Sequence, residues 1–511
     1  MNGAHALIET LVGCGVEVCF ANPGTSEMHF VAAVDDVPGM RVVLGLFEGV
    51  VTGAADGYAR VAGKPAATLL HLGPGMANGM ANLHNARRAR SPMVNIVGDH
   101  ATFHKQHDAP LDSDIEAVAR TFSGLTQRPT SPHQIGFAAA SAVAAAKAAP
   151  GSISTLILPA DVSWGSGATP MTPLVPQGRV DVEADVIEMI AKVLTSGEPC
   201  TLLLGGSAAG SDALHCATRV AAAVGAQVLL ETSIACLARA GGLPPIARLN
   251  YRGGAASRQL AGVRHLILVD AKAPVAFFAY PGRNSNLVPQ DCQVHVLSSG
   301  HDDSVAALQR LAEAVSAPPI RPAPIDRPQP PVGALTPAAI ADAIAALLPE
   351  DAVVVDEGVS TGGYIAAATA SGPRHDWLNV TGGAIGIGLP LAIGAAVAAP
   401  DRKVVGLEAD GSAMYTIQAL WTHARENLDT TTIILNNREY RILRSELERV
   451  GATAGPKALD MLDLSRPDID FVGLSTSLGV PAERANTAED FTAVLERSLA
   501  DDGPRLVEAV I

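Results

Sequence analysis

The sequence has few charged residues and no concentration of positive charge. Charged residues make up 17% of the 511 residues, and 36 Lys and Arg against 51 Asp and Glu give a net charge of −15. Because no basic stripe is present, we expect neither nucleic acid nor a membrane as a partner. No uninterrupted apolar run reaches the roughly 18 residues of a membrane span, and the N-terminal residues lack the basic start and cleavage site of a secretion signal. These absences predict a cytoplasmic protein.

Cysteine is scarce, and its spacing fits no common metal motif. We interpret the six cysteines as reduced cytosolic thiols; they are Cys14, Cys19, Cys200, Cys216, Cys236 and Cys292. What the chain has in quantity is apolar residues, at 48%, which is enough for a large core. A prior of one domain per ~150 residues predicts about three domains.

Three blocks of alternating strands and helices predict an α/β protein with three Rossmann-like parallel-sheet domains. The predicted domains are residues 1–175, 180–316 and 334–511, and the Pro-rich segment 317–333 predicts a stiff, extended connector. The predicted strands of the first two blocks are Val16–Ala21, Val42–Leu46, Ala66–Leu72, Met93–Val97, Thr155–Leu158, Thr201–Leu204, Gln227–Leu230, Leu266–Val269 and Gln293–Leu297.

Two glycine-rich loops follow predicted strands, at Gly73–Gly79 and Gly205–Gly210. Neither matches the G-x-G-x-x-G pattern of dinucleotide sites with a well-placed acid. We therefore favour tight strand–helix turns over a nucleotide site at both.

The segment from Lys403 to Asn437 predicts a metal site. The apolar strand Lys403–Asp410, the helix Met414–Asn427 and the strand Thr430–Leu435 form a βαβ unit, with Ser412 as a possible helix cap. Asp410 and Asn437 then lie at the carboxyl ends of parallel strands, where open α/β sheets bind ligands. If the strands are neighbours about 4.8 Å apart, a carboxylate and an amide oxygen suit Mg²⁺ shared with phosphate groups. An ordinary βαβ unit is the alternative.

This segment also resembles the signature of thiamine-diphosphate enzymes, a Gly-Asp-Gly followed by an Asn-Asn pair. Here it reads Ala409-Asp410-Gly411-Ser412 and Asn436-Asn437, with Ala409 in place of the first Gly. The resemblance implies that Mg²⁺ is bound by Asp410, Asn437 and the backbone carbonyl of Glu439. It further implies a set of cofactor-binding residues, namely Glu48, Ser360, Ile385, Gly411, Ser412, Asn437 and Tyr440. For Ile385, which would hold the cofactor in its bent shape, plain core packing is the alternative.

Further motifs extend the resemblance over nearly the whole chain, to benzoylformate decarboxylases and acetolactate synthases. They are Asn22–Glu27, Gly57–Arg60, Gly382–Gly394 and Met414–Trp421. Glu48 stands where these enzymes carry the Glu that hydrogen-bonds N1′ of the cofactor and promotes formation of the C2 ylid. From the residues alone, Glu48 is an acid that satisfies a helix dipole. The resemblance also implies a homodimer or homotetramer, with Glu48 and Asp410 of one site drawn from different chains.

Three positions favour the benzoylformate decarboxylases within this group. His71 stands at the position of an active-site His in the benzoylformate decarboxylases, and Thr25 at the position of a Ser that binds the substrate carboxylate. Pro110 and Leu111 stand where those decarboxylases also have apolar residues. A structural His beside an apolar strand is the alternative for His71. Their second active-site His would fall near Ala279, where it is absent, although aromatic residues that could line a pocket stand nearby, namely Phe277 and Phe278.

A histidine-rich loop is the remaining candidate. His100, His104 and His107 could supply the missing acid, or they could form a solvated surface turn; their spacing fits no common zinc pattern. Together these observations predict a lyase or carboligase that uses thiamine diphosphate and Mg²⁺ on a small 2-oxo acid. The alternatives are an acetolactate-synthase-like transferase, without FAD, and an inactive cofactor-binding regulatory subunit.

Overall fold

The structure is a computed structural model that describes all 511 residues, and it contains three separate sheets. The first sheet has six parallel strands in the order β2-β1-β3-β4-β6-β5. These strands are β1 (Val18–Asn22), β2 (Arg41–Leu44), β3 (Ala66–Leu70), β4 (Met93–Asp99), β5 (Leu125–Gln127) and β6 (Ile153–Pro159). The helices that connect and cover them are α1 (Gly3–Gly13), α2 (Met28–Asp36), α3 (Glu48–Ala62), α4 (Leu72–Ala89), α5 (Ile115–Ala119), α6 (Ile135–Lys147) and α7 (Ala160–Trp164).

The second block supplies six strands, of which five form a parallel sheet in the order β10-β8-β7-β11-β12. The strands are β7 (Cys200–Leu204), β8 (Gln227–Leu230), β9 (Cys236–Arg239), β10 (Ala247–Arg248), β11 (His265–Val269) and β12 (Gln293–Ser298). The helices are α8 (Ala184–Leu194), α9 (Ser211–Val224), α10 (Gly253–Gln259) and α11 (Ser304–Ala314). Residues 317–332 then form neither helix nor strand, as expected of a connector.

The third sheet has seven strands in the order β17-β18-β16-β15-β13-β14-β9. Its own strands are parallel: β13 (Ala352–Glu357), β14 (His375–Asn379), β15 (Val404–Ala409), β16 (Thr430–Asn436), β17 (Ala482–Ala485) and β18 (Arg505–Val510). The helices are α12 (Pro337–Leu347), α13 (Gly362–Ala368), α14 (Gly388–Ala398), α15 (Asp410–Ala413), α16 (Ala419–Arg425), α17 (Arg441–Arg449), α18 (Pro456–Asp460), α19 (Phe471–Ser477) and α20 (Ala488–Ala500). Strand β9 of the second block pairs antiparallel with β14 at the edge, which caps an otherwise open edge.

The α/β class is confirmed, and the predicted strands are found with their ends shifted by a few residues. The predicted helix Met414–Asn427 was wrong in its first half. The chain instead forms the short α15, a turn and then α16. The turn is held by tertiary contacts, because Thr416 Oγ1 donates to the carbonyl of Gly386 (3.0 Å) and Tyr415 fills the space beside Gly386. Ser412 lies within α15 and caps no helix, which corrects that prediction.

The first and third blocks pack through α3 and α14, which cross at glycines. A Cβ atom on Gly57 would collide with the carbonyl of Leu391, and one on Gly394 would collide with the carbonyl of Ala54. Only glycine allows the two backbones to approach this closely. The contact brings the start of α3, where Glu48 lies, close to the turn before α14.

No helix in the structure combines the length and the apolar character needed to cross a membrane. All six cysteines are free thiols, and four of them are buried.

Candidate active site

The carboxyl edge of the first sheet gathers the predicted residues Thr25, Glu48 and His71. The loop after β1 carries Thr25, α3 begins at Glu48 after β2, and His71 precedes α4 after β3. Because β1 lies between β2 and β3, these three loops are adjacent. Residue Leu72, which follows His71, has a φ of 50°, an uncommon conformation for a non-glycine residue and one that marks functional sites.

His71 is held by a buried carboxylate that the sequence did not single out. Glu27 is fully buried and its Oε2 lies 2.8 Å from His71 Nδ1, while the same oxygen accepts a hydrogen bond from the amide of Gly24 (2.7 Å). Burial raises the pKa of Glu27, and the hydrogen bonds from His71 and Gly24 oppose that rise. Glu27 therefore fixes the ring of His71. The G-x-x-E spacing of a capping box was the signal that could have found Glu27.

Glu48 and His71 approach each other around Gly75. A Cβ atom on Gly75 would lie 2.9 Å from Glu48 Oε1 and 3.3 Å from His71 Cβ. Asn78, one turn further along α4, donates from Nδ2 to Glu48 Oε2 (2.9 Å). The Glu48 residue is 6% exposed, so it is more than a solvated helix cap. The role of Asn78 was missed, since nothing in its local sequence distinguishes it from other polar helix residues.

The loop after β4 lies at the same sheet edge, but most of its residues are exposed to solvent. Ser113 fills the space beside Gly73, two residues after His71, and this contact places Pro110 and Leu111, both exposed, near the site. A buried aspartate, Asp99, anchors the base of the loop through ion pairs with Lys105 and Arg128.

The rings of the three loop histidines contact one another and not the side chains of Glu48 or His71. The ring of His104 lies 5.3 Å from that of His100 and 5.6 Å from that of His107. His104 and His107 are exposed, and no hydrogen bond links any of the three to Glu48 or His71. The structure contains no group of three His, Cys, Asp or Glu side chains arranged to hold a metal ion. His104 and His107 fit the solvated-turn interpretation, whereas His100 is half-buried and its Nε2 is enclosed without a hydrogen-bond partner.

The carboxyl edge of the third sheet brings Asp410 and Asn437 together. Strands β15 and β16 are neighbours in register, Ala409 beside Leu435, so both side chains follow adjacent strand ends. Asp410 is buried, which raises its pKa, and it accepts hydrogen bonds from the amides of Gly411 (2.9 Å) and Arg438 (2.6 Å).

The predicted ligand set fits a hard cation. Asn436 does not face Asp410, because its Nδ2 donates to the buried Glu508 carboxylate (2.7 Å). Asn437 is partly exposed, and its Oδ1 accepts a hydrogen bond from the amide of Glu439 (3.0 Å). The Glu439 side chain pairs with arginines, so only its backbone carbonyl is available. A carboxylate, an amide oxygen and a peptide carbonyl are ligands that suit Mg²⁺.

The remaining predicted cofactor residues surround this edge. Tyr440 covers Gly411, where no Cβ atom would fit, and Ser412 is buried beside it. Ser360 follows β13, the neighbour of β15, and is partly exposed. Ile385 is also partly exposed and is not part of the packed apolar core, so core packing does not explain it.

Phe277 and Phe278 extend from the second block toward the third. Their rings lie 4.9 Å apart, and both are about half exposed. Phe277 packs 2.8 Å from where a Cβ atom of Gly383 would lie, two residues before Ile385. Tyr280 donates to Glu446 of α17 (2.7 Å). Phe277, Phe278 and Tyr280 thus line one side of the turn that contains Ile385.

The glycine turn after β7 is filled by the chain itself. A Cβ atom on Gly205 would collide with the carboxylate of Glu231, and one on Gly206 with that of Asp270. The Asp270 carboxylate accepts hydrogen bonds from the amide (2.8 Å) and the hydroxyl (2.9 Å) of Ser207. Arg90 of the first block pairs with the same carboxylate (2.5 Å). The place where a nucleotide phosphate would bind is therefore taken by an anion of the protein, which supports the interpretation as a strand–helix turn.

Comparison with known proteins agrees with this geometry. The family model described as "Thiamine pyrophosphate enzyme, N-terminal TPP binding domain" matches residues 1–118, and the corresponding C-terminal TPP binding domain matches residues 359–509. The chain belongs to the thiamine pyrophosphate enzymes. The two matched regions, each described as a TPP binding domain, contain Glu48 and Asp410, respectively.

Individual similar proteins show which thiamine pyrophosphate enzymes this chain resembles. The chain is 56% identical to "Putative acetolactate synthase large subunit IlvX" of Mycobacterium tuberculosis, over 100% of this chain and 99% of the relative. It is 30% identical to benzoylformate decarboxylase of Pseudomonas aeruginosa, over 98% and 97%. The thiamine diphosphate-dependent 4-hydroxybenzoylformate decarboxylase of Rhodococcus jostii RHA1 has a similar solved structure, with a TM-score of 0.86, 26% identity and coverage of 100% and 99%. This thiamine pyrophosphate enzyme is thus related to both decarboxylases and acetolactate synthases.

Proposed function

We propose that this thiamine pyrophosphate enzyme is a Mg²⁺-dependent 2-oxo acid lyase of the benzoylformate-decarboxylase type. The observation that carries the proposal is the cluster of Glu48 and the Glu27–His71 pair around Gly75. The bound cofactor supplies an electron sink for the carbanion that decarboxylation leaves. Glu48 places a proton at the pyrimidine nitrogen N1′, and His71, oriented by Glu27, exchanges a proton at the reacting end of the substrate.

The second edge binds the other end of the cofactor. Asp410, Asn437 and the Glu439 carbonyl hold Mg²⁺, while Ser360 and the turn at Gly411 and Ser412 bind the diphosphate. Tyr440 closes over that turn. Thr25, which is exposed and follows Gly24, the residue packed against the His71 ring, provides a hydroxyl for the substrate carboxylate.

The substrate we propose is a 2-oxo acid with an aromatic or branched side chain. Among the exposed apolar groups around the two edges, we assign Pro110, Leu111, Phe277 and Phe278 to the substrate pocket. Burial of an apolar side chain against them adds roughly 25 cal/mol per Å². Two relatives are named for aromatic 2-oxo acids. Because no second histidine stands at Ala279, proton delivery after decarboxylation is weaker, and ligation to a second carbonyl compound competes with aldehyde release.

An acetolactate-synthase-like transfer is the second candidate, favoured by the 56% identity to the mycobacterial protein of that name. An inactive regulatory subunit is not favoured, because Glu48, Asp410 and Asn437 are all present. We also propose a cytoplasmic homodimer or homotetramer. Large apolar side chains are exposed at both edges, which is unusual for a surface that stays free; they are Leu46, Phe103, Leu111, Tyr364, Met414, Tyr415 and Leu443.

A panel of 2-oxo acids tests the proposal, with CO₂ release and product identity measured in the presence of thiamine diphosphate and Mg²⁺. We expect benzoylformate or a branched 2-oxo acid to exceed pyruvate by at least ~10² in kcat/KM. His71→Ala should lower turnover without changing cofactor affinity, and Glu27→Gln should do so with a shifted pH profile. Pyruvate as the best donor, with acetolactate as the main product, would establish the transferase instead.

A further inference from the structure

Two buried glutamates lie side by side beneath the third sheet's carboxyl edge, outside the predicted site. Glu357 ends β13 and Glu408 is its register partner on β15. Both side chains are essentially unexposed. Neither glutamate belongs to the predicted site, and two carboxyls in one apolar interior require an explanation.

The Glu357 carboxylate holds the turn that carries Ile385. Its Oε1 accepts a hydrogen bond from the amide of Gly386 (2.7 Å), and its Oε2 accepts one from the amide of Gly388 (2.5 Å), the first residue of α14. These two amides directly follow Ile385 and Ile387, respectively. Gly386 has a φ of 89°, so the turn depends on a glycine there.

Glu408 lies beside Glu357 on the neighbouring strand. Neither of its oxygens meets a donor from any other residue, and one of them lies against Gly388, where a Cβ atom would collide. Burial and the charge of Glu357 raise the pKa of Glu408 well above its ordinary value, while burial raises the pKa of Glu357 less because the two glycine amides stabilise its anion. The two glycine amides are therefore bound by Glu357 alone, and Glu408 packs behind it against Gly388.

We propose that Glu357 is a positioning residue that fixes the Ile385 turn relative to the diphosphate loop. Glu357 immediately precedes that loop, Gly358–Thr361, and its side chain holds the turn, so one residue joins the two parts of the cofactor site. The proposal rests on the proposed function, in which Ile385 supports the bent cofactor. It adds the group that sets the position of Ile385.

Two conservative variants test the proposal against a merely structural role. In Glu357→Gln the amide NH₂ would face a glycine N–H, so one hydrogen bond to the turn is lost. Glu408→Gln is the matched control, because it keeps the size of the side chain and both hydrogen bonds from the turn to Glu357. If Glu357→Gln does not fold, Glu357→Asp replaces it, because the shorter carboxylate keeps its charge but cannot reach both amides.

Three measurements distinguish the outcomes. Hydrogen exchange of residues 383–390 in cofactor-free protein should be about tenfold faster in Glu357→Gln than in wild type. Calorimetry should show thiamine diphosphate binding weakened by about tenfold, with Mg²⁺-pyrophosphate binding little changed, because pyrophosphate does not contact the turn. Glu408→Gln should match wild type in all three.

The proposal is overturned if exchange is unchanged in Glu357→Gln, if both ligands weaken equally, or if Glu408→Gln is as damaging as Glu357→Gln. Failure of the proposed function would look different. Wild-type protein would then not bind thiamine diphosphate, while the exchange measurement on cofactor-free protein would still report whether Glu357 holds the turn.

Discussion

The side chain of Asn78 donates a hydrogen bond to the Glu48 carboxylate over 2.9 Å. Glu48 begins α3 and Asn78 lies in the second turn of α4, so the acid of one helix is oriented by the amide of the next. The amide donor fixes the position of one oxygen of the acid. The other oxygen, Oε1, lies toward Gly75 and His71.

Replacement of Asn78 should slow catalysis without loss of the cofactor. Asn78→Ala removes one hydrogen bond to a charged group, which costs roughly tenfold in turnover. Asn78→Asp should be slower still, because it replaces the donor to Glu48 with an acceptor of like charge. Steady-state kinetics and calorimetry of the same variants check both statements. Wild-type turnover in Asn78→Ala would show that the contact is incidental.

Thiamine diphosphate should bind only with Mg²⁺ or a similar divalent cation. Asp410 and Asn437 are acceptors and cannot bind an anionic diphosphate except through a shared cation. Calorimetry in excess chelator should show no binding, and Asp410→Ala should abolish binding even with Mg²⁺ because it deletes the only charged ligand. Asp468→Ala, an exposed acid that pairs with Arg438, is the matched control and should bind normally. Equal affinity with and without chelator contradicts this expectation.

Two inactive variants should complement each other if one site uses two chains. Glu48→Gln and Asp410→Ala proteins, mixed in equal amounts and allowed to exchange subunits, should recover about a quarter of wild-type activity, since half of the dimers are mixed and each has one intact site. The control is each variant alone, which should stay inactive. A fully active monomer on size-exclusion chromatography would refute the arrangement.

Acid should destabilise the fold through two buried histidines. Burial lowers the pKa of both His375 and His423 to about 4, against about 6.5 in the unfolded chain. Below about pH 6.5 the unfolded chain therefore binds protons that the folded chain does not take up until about pH 4. Stability is full above this window and falls as pH decreases through it, by up to ~1.4 kcal/mol per pH unit for each histidine.

Thermal midpoints at several pH values between about 7.5 and 4.5 check this dependence. His423 bonds the hydroxyl of Thr430 and the carbonyl of Leu389, and His423→Gln should lower the midpoint at neutral pH but flatten its dependence on pH. The same slope in wild type and His423→Gln would show that other groups control acid stability.

The features that could be predicted from the sequence depend on residues that lie close together in the chain. Asp410 and Asn437 each follow an apolar strand directly, so the strand pattern alone placed them at one sheet edge. The same holds for Glu48 and His71. The helix across Met414–Gln418 was wrong because its residues make contacts with Gly386, which is distant in the sequence and overrides helical spacing.

The parts that could not be predicted depend on neighbours in space. The pairing of Glu357 with Glu408 requires knowing that β13 lies beside β15. The transfer of β9 to the third sheet and the position of Asp270 in the glycine turn likewise depend on how the blocks pack. The sequence pattern carries no information on such contacts between blocks.

The central claim is that Glu48 activates the bound cofactor, and proton exchange at C2 tests it most directly. NMR of thiamine diphosphate bound in D₂O measures the rate at which the C2 proton is replaced. The account predicts that Glu48→Gln binds the cofactor with unchanged affinity but exchanges at least ~10² more slowly than wild type. A wild-type exchange rate in Glu48→Gln would contradict the account and leave Glu48 as a helix cap.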